Sequence, residues 1–357
     1  CAPPQIGPRG GPRMGLPRAT ATKRGATTPD PQRLRRAGAA CARARGMGSR
    51  PGGRVAAAAA ADEFVTGRLT FQGADVPRGL KSDGSVGMQD GKYFGTDMVK
   101  KDVPVLIGRG HEWSMDDHGF TLVDDPMADI DLYNERTILK EYYPACCELV
   151  KKASGASRVY AFDHYMRAQE PTAKHKRAGR GINVCPPFFS VHSDYSAASA
   201  TRQVRTLSRP PHMWDTPKPL LGFESFITPE EADSFLAGRF MIVNVWRNIK
   251  PEPVQRQPFA VCKGCTMPLD DIITFRATDG RKVNEYYFAG HSDSQEWVYF
   301  PDLRREEALL FKTWDSAGEA FASPGRDATV PTTCTFHTAF EILQISQLAQ
   351  RCVRAST

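Results

Sequence analysis

Phe188-Phe189-Ser190-Val191-His192-Ser193-Asp194 is the stretch on which the fold turns. Its apolar run predicts a strand, and residues two apart on a strand share a face. His192 and Asp194 then point the same way and could hold one ion. A further donor lies in Cys334-Thr335-Phe336-His337-Thr338-Ala339-Phe340, where His337 shares its face with Thr335 and Ala339, neighbours small enough to leave room for a metal and a substrate. Two imidazoles and a carboxylate occupy one face of a metal and leave positions open, the donor set of non-haem Fe(II) oxygenases. The tripeptide recurs at His291-Ser292-Asp293, between Tyr286-Tyr287-Phe288 and Trp297-Val298-Tyr299-Phe300. That polar cluster predicts a hairpin loop with solvated side chains. By spacing alone, a metal set at 192, 194 and 337 and a group of structural polar residues stand equally open.

Working outward, Val103-Pro104-Val105-Leu106-Ile107 predicts a short strand. A helix is expected from Pro144 to Ala153, with Pro at its first turn and Gly155 beyond its end. Val159-Tyr160-Ala161-Phe162 predicts a strand running into Asp163-His164. Thr228-Pro229-Glu230-Glu231 is a capping box whose helix should stop at Gly238. Phe240 to Arg247 is apolar on both faces up to Asn244, the pattern of a central strand. Leu309-Leu310-Phe311-Lys312 follows, then a loop to about residue 332 and the His337 segment. Short β-segments predominate, which predicts a mainly β fold with flanking helices around a double-stranded β-helix (jelly roll) core.

The 357 residues suffice for one large domain or two small ones. The chain opens on Cys1 rather than Met, as expected of a fragment or processed product. Residues 1–61 hold twelve Lys or Arg against the single Asp30, a net +11, while the remainder carries −4. The basic balance therefore belongs to a leader rich in Pro, Gly, Ala and Arg, which cannot bury enough apolar surface to order itself. The expected organisation is a disordered leader over 1–61 and one oxygenase-like domain over 62–357. An Arg-rich, acid-poor leader suits an organelle transit peptide, and a translated GC-rich leader without function is an equal reading. A nucleic-acid arm is disfavoured, because no aromatic residue lies there to stack on bases. No segment is apolar enough to span a bilayer, so neither membrane nor nucleic acid is an expected partner. Nine irregularly spaced cysteines resemble no disulfide framework, and Cys262-Lys263-Gly264-Cys265 lacks a second pair for zinc. Reduced thiols and an intracellular location, cytoplasmic or organellar, are the expectation.

The order of motifs is more specific than any one of them. Tyr142-Tyr143-Pro144, Val159 to His164, Val191-His192-Ser193-Asp194-Tyr195 and Val243 to Ile249 come in sequence. Pro258 to Cys262, Trp297 to Asp302, Glu307 to Lys312 and Phe336-His337-Thr338-Ala339-Phe340 follow. This series, from about 90 to 341, resembles the cephem-methoxylase-type hydroxylase/desaturase family, 2-oxoglutarate/Fe(II)-like enzymes of natural-product pathways. The resemblance implies that His192, Asp194 and His337 hold Fe(II), that 2-oxoglutarate and O2 are cosubstrates, and that a small molecule is hydroxylated or desaturated. It leaves His291 outside the metal motif, and it leaves His164 open between a place near the site and the preferred reading, a packed core histidine.

Family members carry a final strand whose arginine is expected to pair with the distal carboxylate of 2-oxoglutarate. Here Glu341 to Arg351 departs from that pattern, and Ile342, Ile345 and Leu348 recur at helical spacing. The arginine is then sought at Arg351, next at Arg354, and third at Arg247. Asn244 is a further cofactor-binding candidate, although Asn244 and Trp246 share a strand face that Arg247 does not. Two other readings accompany the oxygenase: a metal-binding jelly-roll protein without activity, and an auxiliary subunit of a methyltransferase.

Overall fold

The computed structural model describes residues 63–76, 81–83, 88–89, 92–93, 96–127, 129–168, 183–209, 225–278, 283–318 and 330–345. The leader, Arg351 and Arg354 lie outside these residues. The strands are β1 (Phe64–Gln72), β2 (Lys81–Asp83), β3 (Met88–Gln89), β4 (Lys92–Tyr93), β5 (Thr96–Ile107) and β6 (Phe120–Asp124). They continue with β7 (Tyr165–Arg167), β8 (Asn183–Cys185), β9 (His192–Ser193), β10 (Met241–Arg247), β11 (Phe259–Cys262) and β12 (Ile272–Thr278). The last are β13 (Val283–Ala289), β14 (Trp297–Tyr299), β15 (Glu307–Asp315), β16 (His337–Ala339) and β17 (Glu341–Ile345). The longer helices are α1 (Tyr143–Ser154), α2 (Ala197–Leu207) and α3 (Pro229–Ala237).

One large curled sheet has the order β17-β1-β5-β14-β11-β16-β9-β13-β12-β2, and a smaller one the order β10-β15-β6. This is the expected mainly β jelly roll. Alternation along the strands builds both faces of the large sheet at once. Ala260 and Cys262 of β11, and Trp297 and Tyr299 of β14, pack into one cluster with Leu69, Phe71 and Phe336. The intervening Val261 and Val298 turn the other way and meet Phe120, Leu309 and Phe311 of the small sheet. That second layer separates the two sheets, and the functional side chains project into it.

Local signals hold where they are self-contained. Pro144 stands in the first turn of α1, and Gly155 closes it in the left-handed conformation at φ 69°. The Thr228–Glu231 capping box starts α3 as expected. Against the small sheet's outer face, Leu149 and Val150 of α1 pack on Val243, Val245 and Leu310. Among the described residues no helix is long and apolar enough to cross a membrane.

Four expectations are corrected. Phe240–Arg247 was expected as a central strand, but β10 lies at the edge of the three-stranded sheet. Its apolar outer face is explained by α1, which covers it instead of another strand. Val159–Phe162 is irregular, because its side chains are divided among separate helical clusters, with Tyr160 against the Phe235 ring at 6.0 Å. The His291 loop joins no hairpin: β14 pairs with β11 and β5, and the hairpin partner of β13 is β12.

The fourth correction concerns the C-terminal segment. Glu341–Ile345 is a strand despite its helical spacing, antiparallel to β1 with Arg68 opposite Glu341 and Val65 opposite Ile345. The open edge of β1 offers unpaired backbone groups, and satisfying them overrides the weak periodic preference of five residues. The ladder bulges at Thr66/Gly67. Glycine is required there, since a Cβ on Gly67 would sit 2.7 Å from Val105 Cγ2 and 2.8 Å from Phe340 Cδ2.

The large sheet's core sets the stability of the whole. Phe71 is fully buried, with its ring edge-on to Trp297 at 6.0 Å. Phe71→Ala is expected to cost about 3–5 kcal/mol, the range for emptying a buried aromatic site. The urea unfolding midpoint measures it.

Candidate metal centre

The chain leaves Phe188 as irregular backbone, touches β1 through a bridge between Thr70 and Ser190, and pairs as a strand only at His192–Ser193. This is shorter than the expected strand, because Ser196 starts α2 almost at once. Its side chain caps Ser199 N–H while Ser199 Oγ accepts from Ser196 N–H. Ser196 Oγ also donates to Glu285, which Arg276 pairs from β12. Asp194 therefore sits in the bend between a strand and a capped helix, and both ends of that bend are fixed.

His337 stands directly opposite His192 in the β16–β9 ladder. Cross-strand partners have Cβ atoms about 4.5–5.5 Å apart, and the two imidazole centroids are 4.2 Å apart. The ligating atoms of His192, Asp194 and His337 all lie within 4.8 Å of one another. Asp194 Oδ1 is 3.4 Å from His192 Nε2 and 3.7 Å from His337 Nε2. Ligand bonds of about 2.0–2.2 Å to one ion require such spacing.

Orientation is as informative as distance. His192 Nδ1 lies 2.8 Å from the Ser190 carbonyl and His337 Nδ1 lies 3.2 Å from that of Thr335. A carbonyl only accepts, so Nδ1 carries the proton on each ring and Nε2 keeps its lone pair for a metal. Thr335 is itself held by its hydroxyl, which donates to the Gly119 carbonyl at 2.8 Å. Asn244 donates to Asp194 Oδ2 at 2.7 Å, leaving Oδ1 toward the histidines. Around them, Phe188 packs edge-on to His192 at 4.6 Å, while Phe311 and Phe259 lie 4.7 and 5.4 Å from His337.

The electrostatics suit a cation. Burial works against ionising Asp194, but the two imidazoles and the Asn244 amide outweigh it and hold the carboxyl below the usual carboxylate range. Burial, reinforced by repulsion from His192, pushes His337 down to about 3. His337 is thus neutral near pH 7. The Tyr195 and Tyr286 phenols beside Asp194 are pushed up, by burial first and then by its charge, so they stay protonated.

The other candidates fall elsewhere. Arg247, sought as a cosubstrate ligand, points to the helix-covered face of β10. There it pairs with Asp125 and donates to the Asp125 and Arg305 carbonyls. Strand alternation puts it opposite Asn244, and its charge is already matched. Asn244 Nδ2 is engaged by the Asp194 carboxylate. His164 hydrogen-bonds Tyr143 OH at 2.8 Å in the helical layer. His291 packs on Phe71 at 5.1 Å, outside the triad. Sequence reasoning missed the Ser196/Ser199 capping box, although Ser-x-x-Ser directly after the His-x-Asp motif was visible.

With this geometry in place, comparison with known proteins is decisive for kinship. A family model described as "Oxidoreductase/YMDC permease-like domain" matches residues 86–354. The chain belongs to that family. Among curated relatives, an uncharacterized protein in the dcmA 3' region of Methylophilus leisingeri is 30% identical over 165 residues, 45% of this chain and 76% of that protein. The alpha-ketoglutarate-dependent dioxygenase phiK of Fungal sp. (strain ATCC 74256) is 26% identical over 222 residues, covering 62% of this chain and 72% of its own. The solved iron and alpha-ketoglutarate-dependent endoperoxidase NvfI superposes with a TM-score of 0.58 at 23% identity, over 80% of this chain and 93% of that one. That likeness supports the jelly-roll fold.

Two outcomes follow from the site. Asn244→Ala leaves Asp194 Oδ2 without its donor and is expected to weaken metal binding about 10- to 100-fold, the usual effect of removing a group that orients a ligand. Calorimetric Fe(II) titration under anaerobic conditions measures the change. The metal-free protein should lose stability as pH falls below 6.5 toward about 3, because the unfolded chain protonates His337 while the folded chain refuses the proton. Urea midpoints between pH 7 and pH 5 record this loss, and His337→Gln should flatten it.

Proposed function

We propose that this chain is an Fe(II)- and 2-oxoglutarate-dependent dioxygenase that hydroxylates or desaturates a small organic molecule of secondary-metabolite type. The observation that carries this reading is the convergence of His192 Nε2, His337 Nε2 and Asp194 Oδ1, with both Nδ1 atoms tied to backbone carbonyls. Relatives named alpha-ketoglutarate-dependent dioxygenase and hydroxylase/desaturase support it. The finer kinship with the cephem-methoxylase type rests on the order of motifs alone.

The donor set fits iron. Two imidazoles and one carboxylate on one face leave positions free for an oxo-acid and O2. Iron held there would couple O2 reduction to oxidative decarboxylation of 2-oxoglutarate, giving succinate and CO2 and oxidising a substrate C–H bond. In hydroxylation one oxygen atom of O2 enters succinate and the other the product. In desaturation the second oxygen leaves as water.

The chain's own residues supply position and exclusion. His192 and His337 are held in one tautomer by the Ser190 and Thr335 carbonyls, and Asn244 turns Asp194 so that a single oxygen faces the metal. Phe188, Phe259 and Phe311 wall the imidazoles with apolar rings, which limits water at a centre handling a strong oxidant.

The test is anaerobic titration with Fe(II) and then 2-oxoglutarate, followed by the weak visible charge-transfer band of the ternary complex and by succinate formation on adding O2. His192→Ala, Asp194→Ala and His337→Ala should each abolish iron retention and the band, whereas His291→Ala should change neither. Iron binding without succinate would mark a metal protein without oxygenase activity.

A further inference from the structure

The rings beside the two histidines differ in what lies behind them. On the His337 side, Phe311 is buried in the layer between the sheets, where side chains of β6, β10 and β15 meet Val261 and Val298. On the His192 side stands a separate cluster of Ile273, Phe275 and Phe288, with Phe188 and Tyr286 packed against it. Among the described residues, none of its members comes from β6, β10 or β15. The small sheet therefore stops short of this part of the large one, at the β10 edge that carries Asn244.

The cluster shares the face of the metal ligands. Phe288 stands opposite His192 in the β13–β9 ladder, and β12 sets Ile273 opposite Phe288 and Phe275 opposite Tyr286. Cross-strand partners project to one side, so the cluster runs outward from His192 as one apolar surface. The Phe188 ring is edge-on to His192 at 4.6 Å and lies 6.4 Å from Phe288, whose own ring is 6.0 Å from His192. Phe188 is fixed from behind, because its carbonyl accepts from Ala339 N–H, two residues past His337. Phe188 and Tyr286 nevertheless stay partly exposed.

Charge is kept off this surface. Strand alternation turns Arg276 and Glu285 to the other face, where they pair with each other. Among the described side chains, the metal face of β12 and β13 carries no ionised group, and its polar atoms are the Tyr286 phenol and the Asn284 amide. Same-face positions on a strand are about 7 Å apart, so the first polar group stands one step beyond Phe288. An ionised group laid between them would lose its hydration without gaining a partner. An apolar body fits, since small-molecule sites are lined mainly by apolar and aromatic side chains with a few polar groups.

We propose that this surface docks the organic substrate, that the reacting part of that substrate is apolar and uncharged, and that Phe188 is the specificity-determining residue that sets its place beside the metal. The inference rests on the function proposed above and names the chemistry of its substrate.

The full chain is loaded with Mn(II), a redox-silent substitute, and saturated with 2-oxoglutarate. Wild type, Phe188→Ala, Phe188→Leu and Phe188→Tyr are then titrated calorimetrically with 2-naphthalenemethanol and with 2-naphthoate, which share a ring system and differ in charge. Wild type is expected to bind the alcohol at least about tenfold more tightly than the carboxylate. F188A should weaken the alcohol about three- to tenfold, the size of a lost aromatic contact. F188Y should stay near wild type, and F188L should fall between wild type and F188A. Metal and 2-oxoglutarate affinities should be the same in all four proteins, and if F188A fails to take up metal, F188L carries the comparison. Equal affinity for the alcohol in wild type and in the Ala and Leu variants overturns the inference while the proposed function stands. So does a wild type that prefers the carboxylate or binds neither probe. Equal losses of 2-oxoglutarate and of the alcohol also overturn it, because the damage then lies at the metal. A wild-type protein that takes up Mn(II) but no 2-oxoglutarate overturns the proposed function, and this inference falls with it.

Discussion

The pairing of His337 opposite His192 in the β16–β9 ladder is the constraint on which the site depends. Side chains on a strand alternate, so a slip of one residue would send either imidazole to the opposite face. Register is held from both sides. Val261 of β11 lies opposite His337 and Phe288 of β13 lies opposite His192, and both partners are buried. The apolar pattern that fills the core is thus the same pattern that aims two ring nitrogens at one point.

A second constraint comes from the small sheet. Asn244 and Trp246 project inward from β10, while Val243, Val245 and Arg247 face α1. Only the inward set reaches the metal side, so Asn244 can hold Asp194 while Arg247 is spent on Asp125. On neighbouring β15 the fully buried Lys312 is matched by Asp315, which Arg239 also pairs. A lone buried charge would be strongly destabilising, whereas a matched and hydrogen-bonded group is tolerated. Lys312 N–H also donates to the Gly119 carbonyl, and its own carbonyl accepts from Thr335 N–H. This polar network therefore sits in the backbone path leading to His337.

The metal centre shows how burial can be turned to use. Enclosure alone would make Asp194 harder to ionise and His337 harder to protonate. The three groups together resolve this by keeping the carboxylate charged and the imidazole neutral. A divalent cation placed among them would meet one negative charge and two lone pairs, with the remaining polar atoms already bonded to Asn244, Ser190 and Thr335. This economy explains why the second His-x-Asp, at 291, is no substitute. His291 faces Phe71, and Ser292 is drawn to Asp271.

Much of this was legible in the residues. Donor type and face nominated the triad, which the family resemblance then favoured, capping chemistry gave the start of α3, Gly155 marked the end of α1, and short apolar runs gave a mainly β core. These are local properties, set by side-chain chemistry and the two-residue repeat of a strand. The sequence by itself could not say which strands are neighbours, since pairing depends on backbone groups far apart in the chain. Tertiary structure alone therefore decided that β10 is an edge strand covered by a helix. It also decided that Glu341–Ile345 abandons helical spacing to complete the edge of β1, and that Arg247 is matched by Asp125 on the face away from the triad. In each case the deciding quantity is whether a hydrogen-bonding or charged group has found its partner, and only the folded chain brings those partners within reach.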